Sequence, residues 1–92
     1  MITVLVQVRC SRDLINETAQ SLLALDGVEE VYSVSGDWDL IAIVRTKVYD
    51  EVARIVTERM VRIPGIVRTK TISAFRVYAK AEAASGAAPS RR

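Results

Sequence analysis

The order of hydrophobic patterns along the chain constrains its fold more than any other feature. Two segments with helical periodicity alternate with four segments rich in β-branched residues, in the order β-α-β-β-α-β. The predicted strands cover 2–9, 28–35, 39–46 and 66–80, with helices between Ser11 and Asp26 and over 49–63. The two halves have similar sequence patterns: "ALDGVEEVYSVSG" in the first half matches "RIPGIVRTKTISA" in the second in position and pattern. Two split βαβ units predict an α+β, ferredoxin-like βαββαβ sandwich, with a four-stranded antiparallel sheet and two helices on one face.

The length of the chain allows one domain with one modest core. Its 92 residues are half hydrophobic, which is typical of a globular chain. The predicted domain covers 1–80. The remaining stretch, "AEAASGAAPSRR" at 81–92, is small, polar and basic, and is predicted to be a flexible tail.

Composition excludes several function classes. No apolar run approaches the roughly 18 to 20 residues that span a bilayer, and the start lacks the features of a signal peptide. The chain is therefore expected to be cytoplasmic, with no membrane contact. The net charge is only +2, and the basic residues are interleaved with acids, which argues against direct nucleic-acid binding.

The absence of histidine removes the commonest catalytic and metal-binding chemistry. There is no His and a single cysteine, Cys10, so Ser-His and Cys-His nucleophile pairs and a zinc site are not expected. Cys10 ends an apolar run and is predicted to be a buried structural thiol. We expect no catalytic residues, no metal and no cofactor, and therefore no enzyme activity.

Both faces of the predicted sheet carry apolar residues. In the first strand Ile2, Val4, Val6 and Val8 alternate with Thr3, Leu5 and Gln7. In the third strand, Ile41 and Ile43 alternate with Leu40, Ala42 and Val44. In the fourth strand, one face of the sheet is expected to carry Val67, Phe75 and Val77. The other face is expected to carry Ile66, Ile72, Ala74 and Tyr78. Two helices, with Tyr49 and Met60 on the core stripe of the second, cover only one face. A homodimer is predicted to bury the other.

The turn between the second and third strands, "SGDWDL", is richer in functional groups than a hairpin requires. Gly36 permits a positive φ or close approach to a ligand, and backbone N–H groups of such a turn can hold a carboxylate. Asp37 and Asp39 can accept hydrogen bonds from an ammonium group, and Trp38 offers apolar area and an N–H donor. These parts suit a zwitterion, although a turn capped by its own aspartates is the simpler interpretation of the same residues.

Four short features occur in a recognisable order and spacing. They are Gly27-Val28 at the second strand, the Gly36-x-x-Asp39-Leu40 turn, Pro64-Gly65-Ile66 at the fourth strand, and Thr69-x-Thr71 within it. Together they resemble the C-terminal effector-binding domain, or RAM domain, of the Lrp/AsnC (feast/famine) transcriptional regulators. No single feature is specific, but their order and spacing together are, and the resemblance covers essentially residues 2–80.

The resemblance implies a function, an assembly and a site. Such domains form dimers of the dimeric α+β barrel type through their sheets, join into tetramers to octamers, and bind small molecules, usually amino acids, between subunits. The implied site residues are Gly36, Asp37, Trp38, Asp39, Leu40, Thr69, Thr71 and Ile72. The fourth-strand members are expected from a neighbouring subunit. Backbone amides of the turn are expected to take the carboxylate, and acidic or hydroxyl groups the ammonium group.

The chain departs from the full-length regulators in one respect. Those proteins carry an N-terminal helix-turn-helix domain, whereas this sequence begins at the first RAM-like strand. It therefore resembles the stand-alone RAM proteins, which implies no direct operator binding and full-length Lrp/AsnC regulators as candidate partners. Trp38 also stands where family members often have a smaller aromatic or polar residue.

Other interpretations of the same strand order remain open. An ACT-type regulatory module also binds amino acids, although the Gly-x-x-Asp-Leu turn argues against it. A purely structural assembly domain would use the turn as a subunit contact. An RNA-binding module would need an aromatic-rich sheet face in a basic surround, which is not present.

Overall fold

The computed structural model describes residues 1–80, and the predicted flexible tail at 81–92 lies outside the described residues. The strands are β1 (Ile2–Cys10), β2 (Val28–Ser33), β3 (Leu40–Thr46) and β4 (Ile66–Ala74). The helices are α1 (Ile15–Leu23), which follows a 3₁₀ turn (Arg12–Leu14), and α2 (Tyr49–Arg54), which continues through a π turn (Ile55–Arg59) and a 3₁₀ turn (Met60–Arg62). The strands form one antiparallel sheet in the order β2-β3-β1-β4. The predicted ferredoxin-like α+β fold is confirmed.

One face of the sheet, together with the two helices, forms the core. The alternation of burial along β1 and β3 is the one that the sequence predicts. The fully or almost fully buried residues of this face are Val4, Val6, Val8, Leu40, Ala42 and Val44. Leu22 of α1, Ile55 of the π turn and Met60 belong to the same cluster, together with Cys10, Val28 and Val52. Burial of each such side chain contributes about 1.5–3 kcal/mol, so helix-on-sheet packing is the main source of stability.

The prediction that Tyr49 belongs to the core is wrong. Tyr49 is 56% exposed, and its hydroxyl donates a hydrogen bond to Ser73 Oγ at 3.4 Å. Tyr49 is the first residue of α2 and Ser73 lies near the end of β4, an edge strand. Helical periodicity places Tyr49 on the correct stripe, but it does not show that this end of the helix stands at the sheet's margin.

The opposite face of the sheet carries an apolar row that neither helix covers. Leu5 pairs with Ile43 of β3 and with Ile72 of β4, and directly paired residues project to the same side of an antiparallel sheet. We call Leu5, Ile41, Ile43 and Ile72 the open face. The first three are half-buried, whereas Ile72 is 42% exposed.

A bulge in the β1–β4 pairing changes the faces of β4. Arg9 pairs with Arg68, but Cys10 pairs with Ile66, so Val67 is an extra residue. Ile66 therefore packs against the core, while Ile72 lies on the open face. The expectation that Ile66 and Ile72 share a face is wrong, because strict alternation does not anticipate the extra residue.

β4 also ends earlier than predicted, at Ala74 instead of Lys80. Ala74 pairs with Thr3, so only Ile2 of β1 lies beyond the last pair and a strand that continues to Lys80 has no partner there. The exposed segment that follows, 75–80, is named here the C-terminal arm. Its Phe75, Val77 and Tyr78 are 94%, 72% and 89% exposed.

Candidate functional site

The connection between β2 and β3 is fastened to β1 by backbone and side-chain hydrogen bonds. Val34 N–H donates to the Asp39 carbonyl at 3.0 Å, and Asp39 N–H donates to the Val8 carbonyl at 2.9 Å. The Asp39 carboxylate accepts a hydrogen bond from Cys10 N–H, with Oδ2 at 2.9 Å. Asp39 therefore positions the turn as well as facing the cavity described below.

Gly36 takes a conformation that disfavours any side chain. Its φ is +102°, and a Cβ placed there would have no heavy atom within 4 Å. Backbone conformation, and not crowding, is therefore what favours glycine at this position. The open space above it is available to a ligand or to a neighbouring subunit.

Two guanidinium groups lie close to the indole ring of Trp38. Arg9 Cζ is 5.8 Å from the centre of the indole ring, and Arg68 Cζ is 5.5 Å from it. Both distances are within the range of a cation–π interaction. Arg9 also donates from Nε to the Asp37 carbonyl at 3.0 Å and makes a second hydrogen bond to the same oxygen. The turn is thus held against β1 and β4 through Arg9, Trp38 and Arg68.

A polar cavity of about 340 Å³ lies beneath the turn, and we call it the turn cavity. Its lining residues are Arg9, Cys10, Arg12, Gly36, Asp37 and Asp39. Two of these residues are cationic and two are anionic, so the formal charge of the lining is balanced. A small concave site with a few convergent polar groups is the common form of a ligand site.

The structure brings only part of the predicted site together. Gly36, Asp37 and Asp39 line the turn cavity, and Trp38 stacks beside it. Leu40 is 1% exposed and belongs to the core. The β4 residues Thr69, Thr71 and Ile72 do not line the cavity.

The three β4 residues divide between the two faces of the sheet. Thr69 and Thr71 pair with Val8 and Val6, on the helix side, whereas Ile72 pairs with Leu5 on the open face. Their contribution from a neighbouring subunit stays a prediction.

Sequence reasoning missed Arg9 and Arg12 as lining residues. Arg9 directly follows Val8, the partner of Leu40, so a correct strand register would have placed it beside the turn. Arg12 lies in the 3₁₀ turn after β1, and no periodic pattern in the sequence indicates the direction of such a turn.

Cys10 is unsuited to nucleophilic chemistry. Burial raises the pKa of its thiol, the nearby negative charge of Asp39 raises it further, and a hydrogen bond with Thr18 partly lowers it. Cys10 is 5% exposed, and its thiol stays protonated near neutral pH, because the thiolate is the form that burial disfavours.

A second hollow of about 420 Å³ lies between α1 and the β2 edge. Ile15, Ala19, Val31 and Leu40 give it an apolar floor, and its remaining lining is polar. Arg12 lines both hollows. Within residues 1–80, no cluster of three metal-binding side chains occurs, and none of the helices described there has the length and apolar character to cross a bilayer.

Comparison with known proteins points to one family. Residues 3–84 match the family described as the Lrp/AsnC ligand binding domain. The chain is 37% identical over 59 residues to an uncharacterized HTH-type transcriptional regulator, PH1916 of Pyrococcus horikoshii. The match covers 64% of this chain but only 39% of the regulator.

Solved structures give the same picture. TTHA0845 from Thermus thermophilus superposes with a TM-score of 0.80 and 38% identity, over 87% of this chain and 100% of that one. The transcriptional regulator NMB0573 of Neisseria meningitidis, solved as a complex with L-Met, gives a TM-score of 0.73 over 82% of this chain and 50% of that one. At 12% identity, this second likeness establishes a shared fold only.

Proposed function

The chain belongs to the Lrp/AsnC ligand-binding domain family, and from this premise we propose that it is a non-catalytic module that senses an amino acid in transcription regulation. The family and the regulator relatives support an effector-binding role. Beyond that role, we propose amino acids as the effector class, a homo-oligomeric assembly, a cytoplasmic location and regulator partners.

The charge-balanced turn cavity is the observation that carries the proposal. It presents the guanidinium groups of Arg9 and Arg12 together with the carboxylates of Asp37 and Asp39. A free amino acid has one carboxylate and one ammonium group on neighbouring atoms, so it matches opposite charges that face one small space. A regulator of the same fold was solved with L-Met, which makes amino acids the first class to test.

The open face supports a homodimer as the working unit. Leu5, Ile43 and Ile72 form an apolar row on the side opposite the helices, and residues 1–80 contain no further element to cover it. A second copy would bury this row and the exposed Phe75 and Val77 of the C-terminal arm. We further propose that such dimers assemble into tetramers or octamers, which would bring a neighbouring subunit to the predicted site.

We propose that a neighbouring subunit's β4 completes the site in that assembly. Thr69 is half-buried and Thr71 is exposed, and β4 is an edge strand, so its hydroxyl groups are available to another subunit. Ile72, which lies on the open face, would then contribute apolar contact between the subunits. The relatives include an HTH-type transcriptional regulator, so we propose full-length Lrp/AsnC regulators as partners that contact DNA.

A purely structural assembly module is the second candidate function. The large apolar residues of the C-terminal arm, Phe75 at 94% and Tyr78 at 89% exposed, favour it, because they suit a subunit contact irrespective of any effector. In that case, the β2–β3 turn would serve as a contact between subunits.

A thermal-shift screen against the twenty amino acids, read beside size-exclusion chromatography, separates the two candidates. A ligand at about 100 times its Kd stabilises the folded state by about 2.7 kcal/mol, which raises the Tm of a domain this small by about 10–20 °C. Asp37→Asn should abolish the response, while the matched control Glu58→Gln, an exposed residue of the π turn, should retain it. A folded oligomer that responds to no amino acid would favour the assembly module.

A further inference from the structure

The polar groups of the turn cavity are not equally available to a ligand. Arg9 donates two hydrogen bonds to the Asp37 carbonyl and lies over Trp38. Asp39 Oδ2 already accepts from Cys10 N–H. These two residues therefore hold the turn in place, and their charged groups are partly committed to it.

Arg12 and Asp37 are the two charged groups left over. Among the contacts within residues 1–80, the Arg12 guanidinium makes no hydrogen bond or ion pair, and neither does the Asp37 carboxylate. Both line the turn cavity without forming an ion pair with each other. Opposite charges that line one hollow without pairing with each other are both available to a group that carries both charges.

The lining also limits the ligand's side chain. Apart from Cys10 and Gly36, every residue that lines the turn cavity carries a charged side chain. A branched apolar side chain would have to desolvate these groups without offering them hydrogen bonds, which costs free energy. A charged side chain on the ligand would be repelled by residues of the same charge, because the lining contains two arginines and two aspartates.

From this arrangement we infer that the turn cavity takes an α-amino acid with a small, neutral, polar side chain, held by Arg12 through its carboxylate and by Asp37 through its ammonium group. The inference rests on the proposed function and names the ligand class and anchors of that site. Val34 and Asp39 have already used their N–H groups within the protein. Among the donors that remain, the Arg12 guanidinium is the strongest for a carboxylate, since charge-assisted bonds exceed neutral ones.

Isothermal titration calorimetry of the full chain, in its native assembly, tests the ligand class. Serine, asparagine and glycine are compared with leucine, valine and methionine, and with aspartate and lysine. We expect the first group to bind at least about tenfold more tightly than the apolar group. Serine methyl ester, which lacks the carboxylate, and N-acetylserine, which lacks the ammonium group, should each bind at least about tenfold more weakly than serine.

Substitution of the anchors tests their roles. Arg12→Ala should weaken serine binding by at least about tenfold, the equivalent of one charge-assisted hydrogen bond, and Arg12→Lys should restore part of it. Arg59→Ala, in the exposed part of the π turn, is the matched control and should bind as the wild type does. Circular dichroism establishes that each variant is folded.

Failure of the inference differs from failure of the proposed function. Tighter binding of leucine or methionine, or serine binding unaffected by Arg12→Ala, would overturn the ligand class or its anchor and leave amino-acid sensing intact. No heat of binding from any amino acid, with a folded oligomer, would overturn both.

Discussion

Asp39 and Cys10 join the β2–β3 turn to the end of β1: the carboxylate Oδ2 of Asp39 accepts the Cys10 N–H at 2.9 Å. The last residue of the turn is thus fixed by a side chain as well as by the backbone bond from its own N–H to the Val8 carbonyl. A residue that the sequence assigns to a ligand site therefore also has a structural role.

Asp39→Ala should lower the free energy of unfolding by about 1–3 kcal/mol, because a half-buried backbone N–H loses its partner. Chemical denaturation measures this change. Asp37→Ala is the matched control, since the Asp37 side chain is exposed and makes no hydrogen bond within the described residues. Equal losses for the two variants would contradict a structural role for Asp39.

Gly65→Ala should destabilise the protein more than Gly36→Ala does. Both glycines have positive φ, +96° and +102°, so each alanine carries backbone strain of about 1–3 kcal/mol. At Gly65 the new Cβ would also lie 2.9 Å from Thr18 Oγ1, which adds about 1 kcal/mol or more of packing strain. Thermal unfolding of the two variants gives the comparison, and an equal loss would show that the contact relaxes without cost.

The buried thiol of Cys10 should make stability fall at high pH. Its pKa is raised above the ordinary value of 9.0 in the folded state, so the folded protein retains the thiol proton longer than the unfolded chain does. The stabilisation is present below the unfolded-state pKa and is lost as pH rises through the folded-state pKa.

Urea denaturation between pH 7 and pH 10 measures this dependence. Cys10→Ala should show a smaller decline over that range than the wild type, and the comparison removes contributions that the two proteins share. Identical pH profiles would mean that the thiolate is not disfavoured by folding.

Ile72→Glu should weaken self-association. Ile72 is 42% exposed on the open face, and a carboxylate there would be desolvated by a second copy. Light scattering after size exclusion should show a shift toward monomer by at least about tenfold in the dissociation constant. Val61→Glu is the control, because Val61 is 66% exposed but lies in the 3₁₀ turn after α2. Loss of assembly in the control alone would place the interface on the helical layer.

The core was predictable because the residues that form it follow simple periods. Val4, Val6 and Val8 alternate in β1, and Met60 continues the stripe of α2. The direction of the β4 side chains was predictable only in part. The extra residue Val67 interrupts the alternation, so Ile66 faces the side opposite to the one that strict alternation from Ile72 predicts.

The turn was recognisable as a functional segment from its own composition, but its surroundings were not. Strand register places Arg9 in the lining of the cavity, and the direction of a 3₁₀ turn places Arg12 there. Both depend on tertiary structure. The residues of β4 were assigned by resemblance, and their role depends on a second subunit that one chain's sequence does not position.

The place of Trp38 gives the protein a built-in optical probe. It is the only tryptophan in the sequence, and its ring lies close to the guanidinium groups of Arg9 and Arg68, beside the turn cavity. Charged groups near an indole ring shift its emission wavelength. Displacement of either guanidinium would therefore change the wavelength or the intensity of the Trp38 fluorescence. Events at the turn can thus be followed in the unlabelled protein, in real time, without a second indole to obscure them.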